Sequence, residues 1–168
     1  IHEGIVGDLR AIQLPAASYD VIYCAYVLEH VPHAESVLKN FIRWLRPGGI
    51  AIVKIPDPHS VHGFFTRSTP HWFHIFYYRF ILGYENAGKP GHVPYPVYYD
   101  RVVSRSGIRN FCAAEQASLV IERGDGHIEA ATKFTHRCVQ RFRQAMGPLS
   151  LGMLSSRHSD LLYVISKS

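Results

Sequence analysis

Tyr19-Asp20-Val21-Ile22-Tyr23-Cys24-Ala25-Tyr26, then Val27-Leu28-Glu29-His30-Val31-Pro32, a helical stretch, Leu45-Arg46-Pro47-Gly48-Gly49 and Ile50-Ala51-Ile52-Val53-Lys54-Ile55-Pro56 follow one another along the chain. The order reads as strand, loop, helix, turn, strand. Residues 21–25 and 50–55 are short apolar runs rich in β-branched side chains, without polar alternation. That pattern belongs to strands buried on both faces of a parallel sheet. Between them Ala34, Val37, Leu38, Phe41, Ile42 and Leu45 recur at helical spacing and share one face. Glu35, Lys39, Asn40 and Arg43 take the other. Pro32 suits the entry to this helix, where its missing N–H is not needed. Pro47-Gly48-Gly49 should stop the helix and turn the chain back. The unit is a parallel β-helix-β crossover, expected to be right-handed.

In such sheets ligands bind beyond the carboxyl ends of the strands. Residues 24–30 lie at that end of the first strand, and residues 56–59 at that end of the second. Many unrelated enzymes contain one such unit, so it places a site without assigning a chemistry.

Leu14-Pro15, Ser18-Tyr19-Asp20-Val21-Ile22, Val27-Leu28-Glu29-His30-Val31 and Leu45-Arg46-Pro47-Gly48-Gly49 together resemble the middle of a class I S-adenosylmethionine-dependent methyltransferase. The branch they look most like is methyltransferase type 11. Gly7-Asp8-Leu9 is similar to the acidic turn after that family's third strand. No one piece is diagnostic, but five in family order and spacing carry the resemblance. It implies an α/β, partial Rossmann-like sheet, parallel with an antiparallel last strand, and helices on both faces. The surviving strands should stand in the order fourth, fifth, seventh, sixth. The family's glycine-rich loop and ribose-binding acid lie upstream of the Gly-Asp turn, and only seven residues precede Asp8 here. The chain is therefore read as the carboxyl-terminal portion of a longer domain, residues 1–168 forming one partial domain that alone should bind the cofactor poorly and lack activity.

Composition is consistent with this. The chain has 168 residues, 47% hydrophobic and 18% charged, which fits a globular core and excludes a disordered chain. No apolar run is long enough for a membrane-spanning helix. Cys24, Cys112 and Cys138 are odd in number and scattered, with neither a disulfide framework nor zinc spacing, which favours a reducing cytoplasm. The net charge of +5 comes from dispersed residues. Its densest cluster, Lys133, Arg137, Arg141 and Arg143, reads as the solvated side of an amphipathic helix rather than a nucleic-acid surface.

Residues 1–7 read as a short strand and residues 9–18 as a loop. Residues 57–104 hold more than half of the aromatic residues, with His59, His62, His71, His74 and His92, and replace a short connection. Ser68-Thr69-Pro70 is a helix start, residues 71–82 can be helical, and the Gly- and Pro-rich residues 83–99 form an irregular loop. An insertion of this length is read as an acceptor-binding cap. Ser104 should cap a helix to about Gln116, with Ile108, Phe111 and Cys112 inward. Residues 119–122 and 161–165 are the last strands.

By the resemblance, Asp8 would accept a hydrogen bond from the adenine amino group, with Leu9 as adjoining backbone. Cys24, Ala25 and Tyr26 would pass the methionine part, and the Tyr26 ring could face the sulfonium. His30, in the loop after the strand, is the candidate catalytic base, since imidazole ordinarily titrates near neutrality. Helix capping by the same residue is the plainer reading, and Glu29 could orient it. The pairs His30/His33, His59/His62 and His71/His74 have i, i+3 spacing, but only the last sits in a helix and no carboxylate shares its face, so no metal site is assigned. His71, His74, Tyr77 and Tyr78 are candidates for acceptor hydrogen bonding. Trp72, Phe73, Phe76, Phe80 and Arg79 allow two readings, burial beneath the domain or an interfacial anchor on a membrane. Burial is the default. The function implied is methyl transfer from S-adenosylmethionine to a hydroxyl of a small-molecule, glycan or lipid-linked acceptor. The alternative is an inactive acceptor-binding module on the same frame.

Overall fold

The computed structural model describes residues 4–125, 141, 144–145, 154–155 and 158–168. Among these, strand β1 (Tyr19–Ala25) leads through a 3-10 turn (Leu28–His30) to helix α1 (Ala34–Trp44) and strand β2 (Leu45–Pro56). Helix α2 (Val61–Ser68) follows, then α3 (His71–Phe76), which continues as a π-helical turn (Tyr77–Ile81). Helix α4 (Arg105–Ala114), strand β3 (Ser118–Asp125) and strand β4 (Asp160–Ser166) complete the described elements.

The four strands form one sheet in the order β1-β2-β4-β3. β1 and β2 are parallel, and β4 lies antiparallel between β2 and β3. This is the order and the mixed sense implied by the resemblance. One face of the sheet carries Cys24, Ala51, Val53, Ile55, Leu161, Tyr163 and Ile165, all buried. Ala34, Val37, Leu38, Phe41 and Trp44 of α1 and Ile108, Phe111 and Cys112 of α4 join them in a single core. Residues of helical period thus meet residues of period two across one layer. The opposite face is not equally covered. Val21 is 53% exposed, Tyr23 68% and Val120 60%, so β1 is not buried on both faces as its apolar run suggested.

Three local readings are corrected. Residues 4–7 form no strand. Pro47-Gly48-Gly49 is not a separate turn, because β2 already begins at Leu45. Tyr19 pairs with Leu45 and Val21 with Ile50, so the extra residues are accommodated as a bulge. Gly48 has a φ of +76°, and a Cβ on Gly49 would meet the carbonyl oxygens of Arg46, Asp20 and Tyr19 at 3.0–3.1 Å. Glycine is required there by close approach of backbone to backbone. Finally, α2 was not anticipated within the inserted segment. Of the basic segment 131–146, only residues 141 and 144–145 are described, and they are helical; the rest lies outside the described residues.

Helix α1 starts two residues beyond Pro32. His33 precedes it in the left-handed region, with no side-chain cap of its own. The orphan N–H of Ala34 donates instead to Asp100 Oδ2, 2.9 Å away, so the inserted segment caps the helix from a distance. Helix α4 is capped locally as anticipated. Ser104 Oγ accepts from Gly107 N at 3.0 Å. Ser104→Ala is expected to lower stability by about 1 kcal/mol, measured by urea denaturation, with no change in the slope.

Candidate active site

Three strand ends converge beyond Ala25. Tyr26 N donates to Lys54 O at 2.9 Å, extending the β1–β2 ladder by one residue. The residue then takes a left-handed φ of 56°, a conformation that costs a non-glycine residue about 1 kcal/mol or more. Its hydroxyl donates to Asp160 Oδ2 at 2.8 Å, at the first residue of β4. Lys54 Nζ lies 5.5 Å from the Tyr26 ring centroid, 2.7 Å from Asp125 Oδ2 and 3.8 Å from Asp160 Oδ2. Burial, then the hydrogen bond to Asp160, pushes the Tyr26 phenol up to about 12. It stays protonated near neutrality and acts as a donor. The hydrogen bond to Asp125, above all, holds Lys54 above its ordinary range.

The 3-10 turn that follows buries Leu28 and Glu29 and leaves His30 partly exposed. The inserted segment crosses over this turn. Tyr98 N donates to Glu29 O at 2.8 Å, and the Tyr95 ring meets the His30 ring edge-on at 5.8 Å. His30 Nδ1 is 2.7 Å from Pro96 O. A carbonyl can only accept, so Nδ1 carries a proton, and in the neutral ring Nε2 keeps the lone pair that a base needs. Nε2 is 3.8 Å from Glu29 Oε1. Glu29 is 2% exposed, and its Oε2 has no hydrogen-bond partner among the described residues. Burial pushes its carboxyl up to about 7. Tyr26, Val27, His30, Val31, Tyr95, Pro96 and Tyr98 line a pocket of about 410 Å³.

The residues anticipated for the cofactor are only partly gathered here. Tyr26 lines the pocket. Cys24 is 5% exposed and belongs to the core, where burial pushes its thiol up to about 12, so it is an inert packing group. Ala25 is half-buried beside it. Asp8 and Leu9 lie in a separate turn held to α1 by Asn40, whose Nδ2 donates to Leu9 O at 2.9 Å. The Asp8 carboxylate accepts from the backbone N of Arg10 at 2.9 Å and from its Nε at 3.0 Å. Those bonds to Arg10 hold the carboxyl down at about 2. Tyr26, Tyr95 and Tyr98 give the pocket an aromatic wall, the kind of surface a sulfonium would need there. One face of the Tyr26 ring is already covered by the Lys54 ammonium, so a sulfonium would use the other face.

The acceptor candidates stand elsewhere. His74 Nε2 is 2.7 Å from Thr69 Oγ1, the His71 and His74 rings are 6.2 Å apart, and Tyr78 lies 6.3 Å from Tyr77 and 5.6 Å from Tyr84, ring to ring. None of the four lines the pocket. Tyr95, Pro96 and Tyr98 do so instead. They belong to the segment 57–104 expected to form the acceptor-binding cap, but nothing in the loop's sequence singles out these three residues. A second polar cluster was not anticipated either. Asp57, 2% exposed, accepts from His59 N at 2.9 Å and lies 2.8 Å from His158 Nε2. Arg105 Nη2 is 2.9 Å from the same nitrogen. This cluster ties the end of β2 to the entry of β4 and to α4.

Comparison with known proteins agrees with this architecture. A family model described as a methyltransferase domain matches residues 2–53, which hold β1, α1 and most of β2. A search of curated proteins gave no match. Among solved structures, a methyltransferase of Haloferax volcanii, in complex with the Trm112 methyltransferase activator, is 16% identical with a TM-score of 0.52. The alignment covers 96% of this chain and 59% of that one. An S-adenosylmethionine-dependent methyltransferase of Thermotoga maritima is 14% identical, with a TM-score of 0.54 and coverages of 96% and 62%. One from Mesorhizobium loti is 13% identical, with a TM-score of 0.50 and coverages of 96% and 67%. The chain thus spans about three fifths of the length of the first of these. The strand order and these neighbours show that the chain has the fold of class I methyltransferases, and the family model matches the part of it that opens the sheet.

Proposed function

We propose that this domain takes part in methyl transfer from S-adenosylmethionine to a hydroxyl of a small-molecule, glycan or lipid-linked acceptor. The observation that carries this reading is the tautomer of His30. Its Nδ1–H is spent on Pro96 O at 2.7 Å, which leaves Nε2 as a proton acceptor in the wall of the pocket. S-adenosylmethionine, when bound, supplies an electrophilic methyl group on a sulfonium. The residues of this chain do the rest. Tyr26 and Val27 shape the methyl-bearing end, Tyr95, Pro96 and Tyr98 close the pocket against water, and His30 Nε2 takes the acceptor's hydroxyl proton. Glu29 positions His30, and Asp8 with Leu9 is assigned to the adenine end. His71, His74, Tyr77 and Tyr78 remain assigned to the outer part of the acceptor.

The test uses methyl-tritiated S-adenosylmethionine with octyl glucoside as the hydroxyl-bearing probe, on the full-length protein. His30→Ala is expected to lower kcat/KM about 100-fold. Cofactor binding by calorimetry should stay within about twofold, because the base acts in the transition state. Equal turnover in the variant would remove the base. Absence of any cofactor binding would remove the whole reading. A second reading, an acceptor-binding module without activity, is favoured by Asp8 already being held by Arg10. It predicts probe binding with no transferred label.

A further inference from the structure

The aromatic residues of α3 and its π-helical turn are not buried. Trp72 is 68% exposed, Phe73 41%, Phe76 48% and Phe80 67%. They form one continuous stripe. The Trp72 and Phe73 rings are 6.0 Å apart, Phe73 and Phe76 6.4 Å, and Phe76 and Phe80 4.9 Å. Four large rings on one helix are thus left partly in water, without the full burial that such side chains ordinarily gain. A stripe of that kind marks a contact surface.

The charges around the stripe identify what it contacts. From residue 58 to residue 99 the sequence has a single acid, Glu85, against Arg67, Arg79 and Lys89 and five histidines. Arg67, Arg79 and Lys89 are exposed. Arg79 lies within the stripe's own turn, where its Nη2 donates to Ala87 O at 3.1 Å. Tryptophan and phenylalanine flanked by cations, on a segment nearly free of carboxylates, are the complement of an anionic phospholipid surface. No helix among the described residues is long and apolar enough to cross a membrane. We propose that residues 71–81 dock the domain peripherally on anionic bilayers, with Trp72, Phe73, Phe76 and Phe80 entering the interface and Arg67, Arg79 and Lys89 facing the headgroups. This goes beyond the reading of the pocket and does not depend on it.

The chain carries its own reporter. Trp44 is 2% exposed and packed in the core, so a change in tryptophan emission on binding comes from Trp72. With vesicles of phosphatidylcholine and phosphatidylserine at low salt, the chain should co-sediment. Its emission should shift to the blue and be quenched by brominated acyl chains. Vesicles of phosphatidylcholine alone, or added salt, should weaken binding. The Trp72→Ser/Phe80→Ser variant should bind at least about tenfold more weakly. Both side chains are exposed, so the fold should persist by circular dichroism. Tyr23→Ser, on the exposed sheet face, should leave binding unchanged. The proposal is overturned if brominated lipids leave Trp72 unquenched or if Tyr23→Ser removes binding. It is equally overturned if the emission shift depends on protein concentration without lipid, which would make the stripe an interface between copies of the chain.

Discussion

At pH 8 the Glu29→Gln variant is expected to be more stable than the parent by about 3 kcal/mol. Glu29 is 2% exposed, and burial raises its carboxyl from an ordinary 4.5 to about 7. The folded protein therefore holds a proton that the unfolded chain releases. Below pH 4.5 both states are protonated, and the residue contributes no pH dependence. Between 4.5 and about 7 stability falls as the pH rises, and above about 7 the loss is complete. Glutamine has nearly the same shape and no charge at any pH, so it avoids that loss. Urea denaturation of both proteins at pH 5 and pH 8 checks this. The gap should be large at pH 8 and shrink toward zero at pH 5. A parent whose stability is flat across that window would show that Glu29 is ionised without penalty.

Gly107→Ala should lower stability by about 3 kcal/mol, although helix propensity alone argues the other way. Alanine in place of glycine ordinarily favours a helix by up to about 1 kcal/mol. Here a Cβ would lie 2.1 Å from Arg101 O and 2.6 Å from Val102 Cα. Both are backbone atoms, so no side chain can rotate aside. Relief requires moving the first turn of α4 away from residues 101–102. That would break the Ser104 Oγ bond to Gly107 N and lift Ile108, which is fully buried. Overlap therefore wins over propensity. A thermal denaturation midpoint equal to or above the parent's would refute this and mean that the turn relaxes freely.

These two residues also mark where local reading stops. Glu29 and Gly107 are unexceptional in sequence: a carboxylate beside a histidine, and a glycine in the first turn of a helix. Neither pattern says that the carboxylate is sealed from water or that another backbone passes within contact distance. The same holds for His30. Its place after β1 was legible from the strand pattern, and its candidacy from the chemistry of imidazole. Its tautomer comes from Pro96, 66 residues away. The N-terminus of α1 is likewise completed by Asp100, also 66 residues away.

Periodicity was enough for the frame. Val37, Leu38 and Phe41 at helical spacing, and the apolar runs of β1, β2 and β4, follow from the geometry of a single helix or strand, which the chain carries locally. Strand order followed from the resemblance, because a shared sequence pattern implies a shared topology. The bulge at Pro47-Gly48-Gly49, the helix α2, the pocket wall of Tyr95, Pro96 and Tyr98, and the exposure of the Trp72–Phe80 stripe are different in kind. Each depends on which distant segment packs against the residue or fails to, and no local repeat records that. Such contacts exist only once the chain has closed on itself, so only the folded molecule decides them.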